Sequence, residues 1–307
     1  DSPPTGPLPH QGPPVRVQLG LVSHRNAGKT TLARTLLLRD VGEVRDAAHV
    51  TETADAHTLL TSPEGDELTL WDTPGFGDSV RLAKRLGQAG NPVGWFLSEV
   101  WDRMRDRPFY LSQRALLAAR DHADVVLYLV NASEDPQDAG YVVPEMQLLQ
   151  WLGKPVVVLL NQMGPPAPAH AEQADVRKWS RALRSSTVVR AVLPMDAFAR
   201  CWVHEGVLFE SLVDLAPPDK REGARRLVST WEARNTDRFE TSLRALADLL
   251  AVAARDKEPI ADTSTPLKKA LNVVTPGKRA PNPAQADAMR ALVGRVAGGG
   301  SQTTLAL

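Results

Sequence analysis

One stretch near the amino end constrains this chain more than any other. The apolar run Val15–Val22 is followed by Ser23-His24-Arg25-Asn26-Ala27-Gly28-Lys29-Thr30 and then by the helical sequence Thr31–Leu38. A strand, a glycine-bearing turn and a helix in this order form the context of a phosphate-binding P-loop, in which backbone N–H groups and the helix dipole face one concavity. The alternative is a chance Gly-Lys-Thr at a helix start, which the flanking strand and helix disfavour.

The loop predicts a role for each of its key residues. Lys29 is expected to reach the β- and γ-phosphates of a nucleotide, and the Thr30 hydroxyl is expected to ligate Mg²⁺. Ser23 stands where the motif has its first glycine. Because serine carries a Cβ, the motif does not determine the backbone conformation of this loop, but the prediction for Gly28-Lys29-Thr30 is unaffected. The other residues predicted to contact the nucleotide here are Asn26, Ala27 and Thr31.

Composition bounds the possible functions. The chain has 307 residues, of which 43% are apolar, enough for one large α/β domain and a smaller one. The formal net charge of zero gives no strong signal of a nucleic-acid partner. No apolar run is long enough to span a bilayer, although peripheral membrane association stays open. The single cysteine, Cys201, excludes an internal disulfide framework and predicts a cytoplasmic location.

Hydrophobic patterning predicts the fold. The continuous apolar runs Asp124–Asn131 and Lys154–Asn161 are typical of strands buried in a parallel sheet. The segments Ala56–Ser62 and Glu67–Trp71, separated by a turn sequence, predict a hairpin. Helices are predicted at 144–152 and 172–184, and a last strand at 187–193. The alternation predicts an α/β fold of the P-loop NTPase type, with a doubly wound, mostly parallel sheet and the ligand at the carboxyl ends of its strands.

The chain is predicted to have four parts. Residues 1–14 form a flexible leader, 15–216 the nucleotide-binding domain, 217–296 a helical extension, and 297–307 a flexible tail; the abrupt end suggests a fragment. Within the extension, a last helix is expected at Asn282–Val296. The apolar residues predicted to share one face of the preceding long helix are Val228, Trp231, Phe239, Leu243, Leu246 and Leu250.

A second motif lies 43 residues beyond Lys29, where Asp72-Thr73-Pro74-Gly75 ends a strand. At this spacing Asp72 is expected to hold Mg²⁺ through water, and the Gly75 N–H to contact the γ-phosphate. An ordinary turn after a strand is the alternative. In the intervening loop, Thr51 is the first candidate to close over γ-phosphate and Mg²⁺ and Thr53 the second, and a plain loop threonine remains open for either.

Together these stretches resemble a translation-factor-class GTPase, close to the Era-like and tRNA-modification (TrmE-like) GTPases. With Leu160–Pro166 and Asp196–Trp202 included, the chain more narrowly resembles a bacterial GTPase family with a C-terminal domain of unknown function. The resemblance covers residues 15–215 with distinctive motifs and the remainder more loosely. It implies a G domain with two switch loops that binds GTP or GDP and Mg²⁺, but it names no effector, pathway or oligomeric state.

One departure from the resembled families concerns the base. They carry Asn-Lys-x-Asp where this chain has Asn161-Gln162-Met163-Gly164, so the carboxylate that reads guanine is missing. Asn161 and Gln162 are still predicted to line the base site. Asp196 follows the last strand, where it either supplies the missing acceptor or caps a helix that begins near Ala197.

Two further positions bear on turnover. Phe76 follows Gly75 where many switch GTPases carry a glutamine that orients the attacking water, and a phenyl ring can neither donate nor accept that hydrogen bond. Hydrolysis is therefore expected to be slow without a partner or a second copy. The resemblance also implies a K⁺ ion near the phosphates, held by the Asn26 side chain, and the alternative is that Asn26 only braces the loop.

The sequence thus predicts Mg²⁺-dependent hydrolysis of GTP to GDP and phosphate by a switch protein. The predicted catalytic residues are Lys29, Thr51 and Gly75, and the predicted metal ligands are Thr30, Thr51 and Asp72. Two alternatives stay open: a nucleotide-binding scaffold without hydrolysis, and an ATPase or unspecific NTPase, which Gly164 would allow. The expected partners are guanine nucleotide and either an unknown protein effector or a second copy of the chain.

Overall fold

The computed structural model describes residues 12–25, 27–37, 55–88, 106–164, 168–197 and 201–255. Asn26, Thr51, Thr53 and the predicted helix Asn282–Val296 lie outside the described residues, as do most of the predicted leader and the whole of the predicted tail. The chain divides into two compact units, Asp1–Ala233 and Arg234–Leu307. The predicted domain boundary at residue 216 stays a prediction.

The described residues form one six-stranded sheet in the order β2-β3-β1-β4-β5-β6. Only β2 pairs in the antiparallel sense, as an edge strand next to β3. The strands are β1 (Arg16–Ser23), β2 (Asp55–Thr61), β3 (Glu67–Asp72), β4 (Val125–Asn131), β5 (Val156–Asn161) and β6 (Val189–Pro194). The predicted hairpin and the predicted mostly parallel sheet are both confirmed.

Helices cover both faces of this sheet, and a 3₁₀ turn at Pro218–Lys220 leads into the last of them. Of the described helices, none offers a stretch long and apolar enough to cross a membrane. The helices are α1 (Lys29–Leu37), α2 (Ser79–Gln88), α3 (Arg107–His122), α4 (Val142–Leu152), α5 (Ala169–Leu183), α6 (Trp202–Leu215) and α7 (Arg221–Arg255).

The central strand β4 shows why an uninterrupted apolar run folds here. Successive side chains of a strand point to opposite faces of the sheet. Val126 and Tyr128 accordingly join an apolar cluster that includes side chains of α2, α3, α4 and α5. Leu127 and Leu129 join a second cluster, which includes side chains of α1, α6 and the first turns of α7. Both faces of β4 are therefore buried, and the sequence of the strand is apolar throughout.

The sheet order brings the two predicted phosphate motifs together. Strand β1 pairs with β3 on one side and with β4 on the other, so the strand order reverses beside β1. Ligands of doubly wound sheets bind at such a reversal, outside the carboxyl ends of the strands. In the β1–β3 register Leu21 stands opposite Asp72. The turn after β1 and the motif after β3 consequently emerge next to each other.

The second unit is described as far as Arg255, by the continuation of α7. Its apolar residues Phe239, Leu243, Leu246 and Leu250 recur at helical spacing, as predicted, and each is more than half exposed. Within the first unit, by contrast, Trp231 is buried with its ring 5.3 Å from that of Phe209. The two ends of the predicted apolar face thus have different environments.

A buried carboxylate joins three elements of the first unit. Asp66, in the β2–β3 turn, is fully buried, and its Oδ1 accepts a hydrogen bond from the Val15 N–H at 3.0 Å. The Arg226 guanidinium on α7 donates to both oxygens, at 2.6 and 2.8 Å. Hydrogen bonds from Arg226, helped by Val15 and the Ser62 hydroxyl, lower the pKa of Asp66 to about 2. A bidentate pair of this kind fixes the start of α7 on the sheet.

We expect this pair to make the stability of the domain depend on pH in acid. Because the pKa of Asp66 is lower when folded than when unfolded, its contribution is complete above about pH 4 and is lost as the pH falls towards 2. A pKa lowered by this much corresponds to a contribution of about 2 kcal/mol to the free energy of unfolding. Asp66→Asn should therefore destabilise the domain at pH 5, and about 1 kcal/mol of the difference from wild type should disappear at pH 3.

Urea unfolding of both proteins at pH 5 and pH 3 measures this difference. Glu222→Gln is the matched control, because it removes the exposed ion pair with Arg225 on the same helix. That variant should change the free energy of unfolding by less than about 1 kcal/mol at either pH. An Asp66→Asn penalty that is the same at pH 5 and pH 3 would contradict the assignment.

Candidate functional site

The turn between β1 and α1 has the shape that its sequence predicts. Gly28 lies in the left-handed region, at φ +91°. A Cβ added there would also stand 2.6 Å from the side-chain nitrogen of Asn161, too close for any real contact. Only glycine therefore satisfies both the backbone conformation and the packing at this position. The preceding Asn26 lies outside the described residues.

Lys29, at the start of α1, is held inside the site. Its Nζ donates to the Ser23 hydroxyl at 2.8 Å. Burial lowers the pKa of Lys29 to about 8, against the opposing charges of Asp72 and Glu145. Ser23 is fully buried and has no positive φ, so this position does not require the glycine of the usual motif. The departure at Ser23 supplies a hydrogen-bond partner for the lysine.

The predicted metal ligands Thr30 and Asp72 lie together. The Thr30 hydroxyl stands 3.4 Å from Oδ2 of Asp72, whereas Oδ1 is buried and no described residue donates a hydrogen bond to it. Burial raises the pKa of Asp72, and Lys29 opposes that shift. A buried carboxylate oxygen beside a hydroxyl fits Mg²⁺, which prefers oxygen ligands. The third predicted ligand, Thr51, lies outside the described residues.

Mg²⁺ in nucleotide sites is held by one or two protein groups, with water and phosphate oxygens as its remaining ligands. The described part of the chain contains no group of three or more His, Cys, Asp or Glu side chains that could hold a metal ion. Thr30 and Asp72 would supply the protein share of such a site.

Two hydrogen bonds to backbone carbonyls of β1 hold the segment after Asp72 beside the P-loop. The Thr73 hydroxyl donates to the Leu21 carbonyl at 2.7 Å, and the Phe76 N–H donates to the Ser23 carbonyl at 2.9 Å. Between them, a Cβ on Gly75 would lie 3.0 Å from Nζ of Lys29. The predicted γ-phosphate contact at Gly75 and the predicted phosphate-binding lysine therefore border the same space.

Phe76 is a core residue. Its ring is fully buried in the apolar cluster that also holds Val22, Leu82 and Phe109. The side chain at this position therefore points away from the nucleotide and into the protein, which explains in physical terms why an apolar residue stands here.

Asn161 joins the P-loop to the predicted base loop. It is fully buried; its side-chain nitrogen donates to the Ala27 carbonyl and its side-chain oxygen accepts from the Ala197 N–H, both at 2.8 Å. The next residue, Gln162, has φ 58°, the only positive value among the described residues other than glycine. Gly164 follows at φ +83°.

Asp196 lies in the loop after β6, and its Oδ2 accepts a hydrogen bond from the Met163 N–H, in the loop after β5, at 3.0 Å. The described helix that follows begins at Trp202 with Cys201 as its N-cap residue. Residues 198–200 lie outside the described residues, so the alternative that Asp196 caps a helix beginning near Ala197 stays open. The remaining predicted nucleotide contact, Thr31, lies half-buried in the first turn of α1. The nucleotide contacts of Asp196 and Thr31 stay predictions.

A buried network behind the P-loop was not predicted from the sequence. Glu145 on α4 is fully buried; its Oε1 lies 2.7 Å from Nδ1 of His24, and its Oε2 accepts from the Tyr128 hydroxyl at 2.7 Å. The His24 ring also stacks on Tyr141, with centroids 4.2 Å apart. The signal available in the sequence was a lone carboxylate and a lone tyrosine within the apolar segments of α4 and β4.

Comparison with known families agrees with this geometry. A family model described as 50S ribosome-binding GTPase matches residues 18–162, a little under half of the chain, and includes the P-loop, Asp72 and Asn161. Residues 18–162 therefore match a P-loop GTPase domain. The predicted GTPase resemblance is thereby confirmed, whereas membership of the family with a C-terminal domain of unknown function stays a prediction.

Solved structures of GTPases are similar to this GTPase domain at low identity. A variant of Aquifex aeolicus Era bound to GDP·AlF₄⁻ is 19% identical, with a TM-score of 0.48 over 66% of this chain and 57% of that chain. Era in complex with MgGDPNP and a segment of 16S ribosomal RNA is also 19% identical, with a TM-score of 0.47 over the same shares. The matched region thus spans less than two thirds of those chains.

We expect Phe76→Gln to destabilise the GTPase domain without accelerating hydrolysis. The substitution removes a fully buried ring and places an amide among Val22, Leu82 and Phe109, which should cost about 3 kcal/mol or more. Phe76→Leu is the matched control and should cost less than about 1.5 kcal/mol. Denaturant unfolding and GTP turnover measure the two effects. A stable Phe76→Gln protein with faster turnover would contradict this assignment of the side chain to the core.

Proposed function

We propose that this protein binds GTP and hydrolyses it to GDP and phosphate in the presence of Mg²⁺. The observation that carries the proposal is the convergence of Lys29, Thr30 and Asp72 at one edge of a GTPase domain, with a buried Asp72 oxygen that no described residue satisfies. A nucleotide phosphate would supply the negative charge that buried Lys29 favours. Mg²⁺ would supply the positive charge that buried Asp72 favours.

The chemistry assigned to the site is attack of water on the γ-phosphorus. A bond forms between the water oxygen and phosphorus, and the bond to the β–γ bridging oxygen breaks with its electron pair left on GDP. One water proton stays on the new phosphate hydroxyl, and the other passes to a second phosphate oxygen or to solvent. Lys29 and the Gly75 N–H would hold the γ-phosphate oxygens, and Thr30 and Asp72 would hold Mg²⁺, which neutralises charge as it develops. Thr51, outside the described residues, would complete this set.

Such a site acts as a switch. Contacts of the γ-phosphate with Gly75 and Thr51 would order the two surrounding loops, and hydrolysis would release them. A protein effector or a second copy of the chain would read the ordered state. The proposed place of action is the cytoplasm. Turnover by the protein alone is expected to be slow, because buried Phe76 cannot orient the attacking water.

A nucleotide-binding scaffold without hydrolysis is the second candidate, and the burial of Phe76 is the observation that favours it. Single-turnover hydrolysis with protein in excess over GTP separates the two candidates. Release of phosphate that depends on Mg²⁺ and is lost in Lys29→Ala supports the GTPase. Stable binding of GTP with no phosphate released over hours supports the scaffold.

We expect guanine nucleotides to bind more tightly than adenine nucleotides, with Asp196 as the acceptor for the guanine N–H groups. The support is the hydrogen bond from Met163 to Asp196, which locates this carboxylate at the base loop. Asp196→Ala should weaken GDP binding about 10- to 100-fold, the cost of a lost hydrogen bond to a charged group, and leave ADP binding nearly unchanged.

Calorimetric titration with GDP and ADP checks this expectation. Asp196→Asn is the matched control for loop structure, because its amide oxygen can still accept from Met163 while it cannot accept both guanine N–H groups. It should therefore lose guanine preference as the alanine variant does. Equal affinity of the wild type for GDP and ADP would show that the site is unspecific, as the absence of a carboxylate at Gly164 allows.

A potassium ion is the last expected ligand, with Asn26 lending its side-chain oxygen. A fixed cation between phosphate oxygens stabilises the transition state more than the ground state. Turnover should then be faster in KCl than in NaCl or CsCl at equal ionic strength, and Asn26→Ala should abolish the difference while retaining GDP binding. Equal rates in the three salts would leave Asn26 with the role of bracing the loop.

A further inference from the structure

The backbone of one arginine, Arg25, lies at the phosphate side of the site. Arg25 is exposed, and within the described ranges no hydrogen bond or ion pair involves its guanidinium. Its Cα and N lie 3.4 and 3.6 Å from the point where a Cβ on Gly75 would stand, and Nζ of Lys29 lies 3.0 Å from the same point. The backbone of Arg25 therefore borders the space in which the γ-phosphate is proposed to bind.

The neighbouring residue anchors this part of the loop on three sides. The backbone of His24 forms a strand-like bridge with Phe76. Its ring is hydrogen-bonded to Glu145 at 2.7 Å and stacked on Tyr141 with the planes 15° apart. Because the backbone and the ring of His24 are both held, the position of the Cα of the next residue, Arg25, is also restrained.

Glu145 makes this anchor rigid. A fully buried carboxylate is stable only with partners, and Glu145 has the His24 ring and the Tyr128 hydroxyl. Burial raises the pKa of Glu145, and the hydrogen bonds from His24, Tyr128 and Ser79 oppose that shift. Displacing His24 would leave the carboxylate short of a donor, so the anchored geometry is favoured.

The proposed reaction needs positive charge at this place. As the bond to the β–γ bridging oxygen breaks, charge develops on the phosphate oxygens. The ring of Phe76 is buried in the core and supplies neither charge nor a hydrogen bond to the phosphate. A guanidinium suits the task, because its planar donors pair with two phosphate oxygens and its charge is permanent.

We propose that Arg25 is a catalytic residue, whose guanidinium contacts the γ-phosphate and stabilises the charge that develops during hydrolysis, and that His24 and Glu145 are its positioning residues. The proposal rests on the GTPase activity proposed above. It adds a source of charge within the chain, where switch GTPases without one depend on an arginine from a partner.

Arg25→Ala and Arg25→Lys test the catalytic role through two readouts. The first is the single-turnover rate with GTP, and the second is the affinity for GDP with and without AlF₄⁻, which together mimic the transition state. Arg25→Ala should lower the rate and the GDP·AlF₄⁻ affinity about 10²-fold, as removal of a preorganised donor does, and leave the affinity for GDP alone unchanged. The rate and the GDP·AlF₄⁻ affinity of Arg25→Lys should lie between those of wild type and Arg25→Ala, because an ammonium keeps the charge but cannot pair bidentately.

Arg16→Ala is the matched control. Arg16 is an exposed arginine at the amino end of β1, whereas the P-loop follows the carboxyl end of that strand. Arg16 pairs with Glu67. Its removal should leave both readouts at the wild-type value. All measurements are made in KCl at one ionic strength, so that any contribution from a bound monovalent ion is constant.

Glu145→Gln tests positioning, with His24→Asn as a second variant that leaves the helix α4 sequence intact. Each should lower the rate and the GDP·AlF₄⁻ affinity while GDP binding shows that the domain is folded. Because the charge of Glu145 also acts on Lys29, the double-variant comparison uses His24→Asn, which should not lower the rate further in the Arg25→Ala background. A purely structural role would instead give the same loss in both backgrounds.

Each outcome decides the proposal. If the wild type hydrolyses GTP and Arg25→Ala matches it in rate and in GDP·AlF₄⁻ affinity, Arg25 is not catalytic and the GTPase proposal stands. If His24→Asn lowers the rate equally with and without Arg25, the positioning role is wrong. If the wild type neither hydrolyses GTP nor binds AlF₄⁻ with GDP, both the activity and the role of Arg25 are wrong.

Discussion

The site depends on one amide. Asn161 lies at the end of β5 and is fully buried, and its two polar atoms bridge the P-loop at Ala27 and the loop after β6 at Ala197. Its nitrogen occupies the space that a side chain on Gly28 would need. Because an unpaired buried amide is costly, the two loops are held at a fixed separation. The distance between the phosphate and base ends of the predicted nucleotide is thus set by a side chain of the sheet.

Electrostatics explains why the remaining polar residues favour a charged ligand. Burial lowers the pKa of Lys29 and raises that of Asp72, so each group is driven towards its neutral form and is kept charged by the other. Glu145 adds a second negative charge that acts on Lys29. Phosphates beside Lys29 and a divalent cation beside Asp72 would relieve both groups at once. Nucleotide and metal are therefore expected to bind cooperatively.

The parts of this site that could be predicted from the sequence are those whose geometry is local. Gly28 and Lys29 are recognisable because a strand, a left-handed glycine and a helix must follow one another within a few residues. The contact of Glu145 with His24 could not be predicted, because the two residues are 121 positions apart and the sequence pattern of a helix does not indicate such a distant partner. The contact of Asp196 with Met163 is of the same kind, since two loops define it.

Position 76 shows how packing can decide chemistry. The Phe76 N–H is bonded to the Ser23 carbonyl, so the backbone here continues the alignment of the P-loop with the segment after β3. With the backbone aligned in this way, the side chain faces the cluster beneath the sheet, where Phe109 and Leu82 also lie. A polar residue at 76 would have to leave that cluster open or bury its own hydrogen-bonding groups. Any group that orients water or neutralises phosphate charge must therefore come from another position, and the two cationic residues that border the space beside Gly75 are Lys29, through its Nζ, and Arg25, through its backbone.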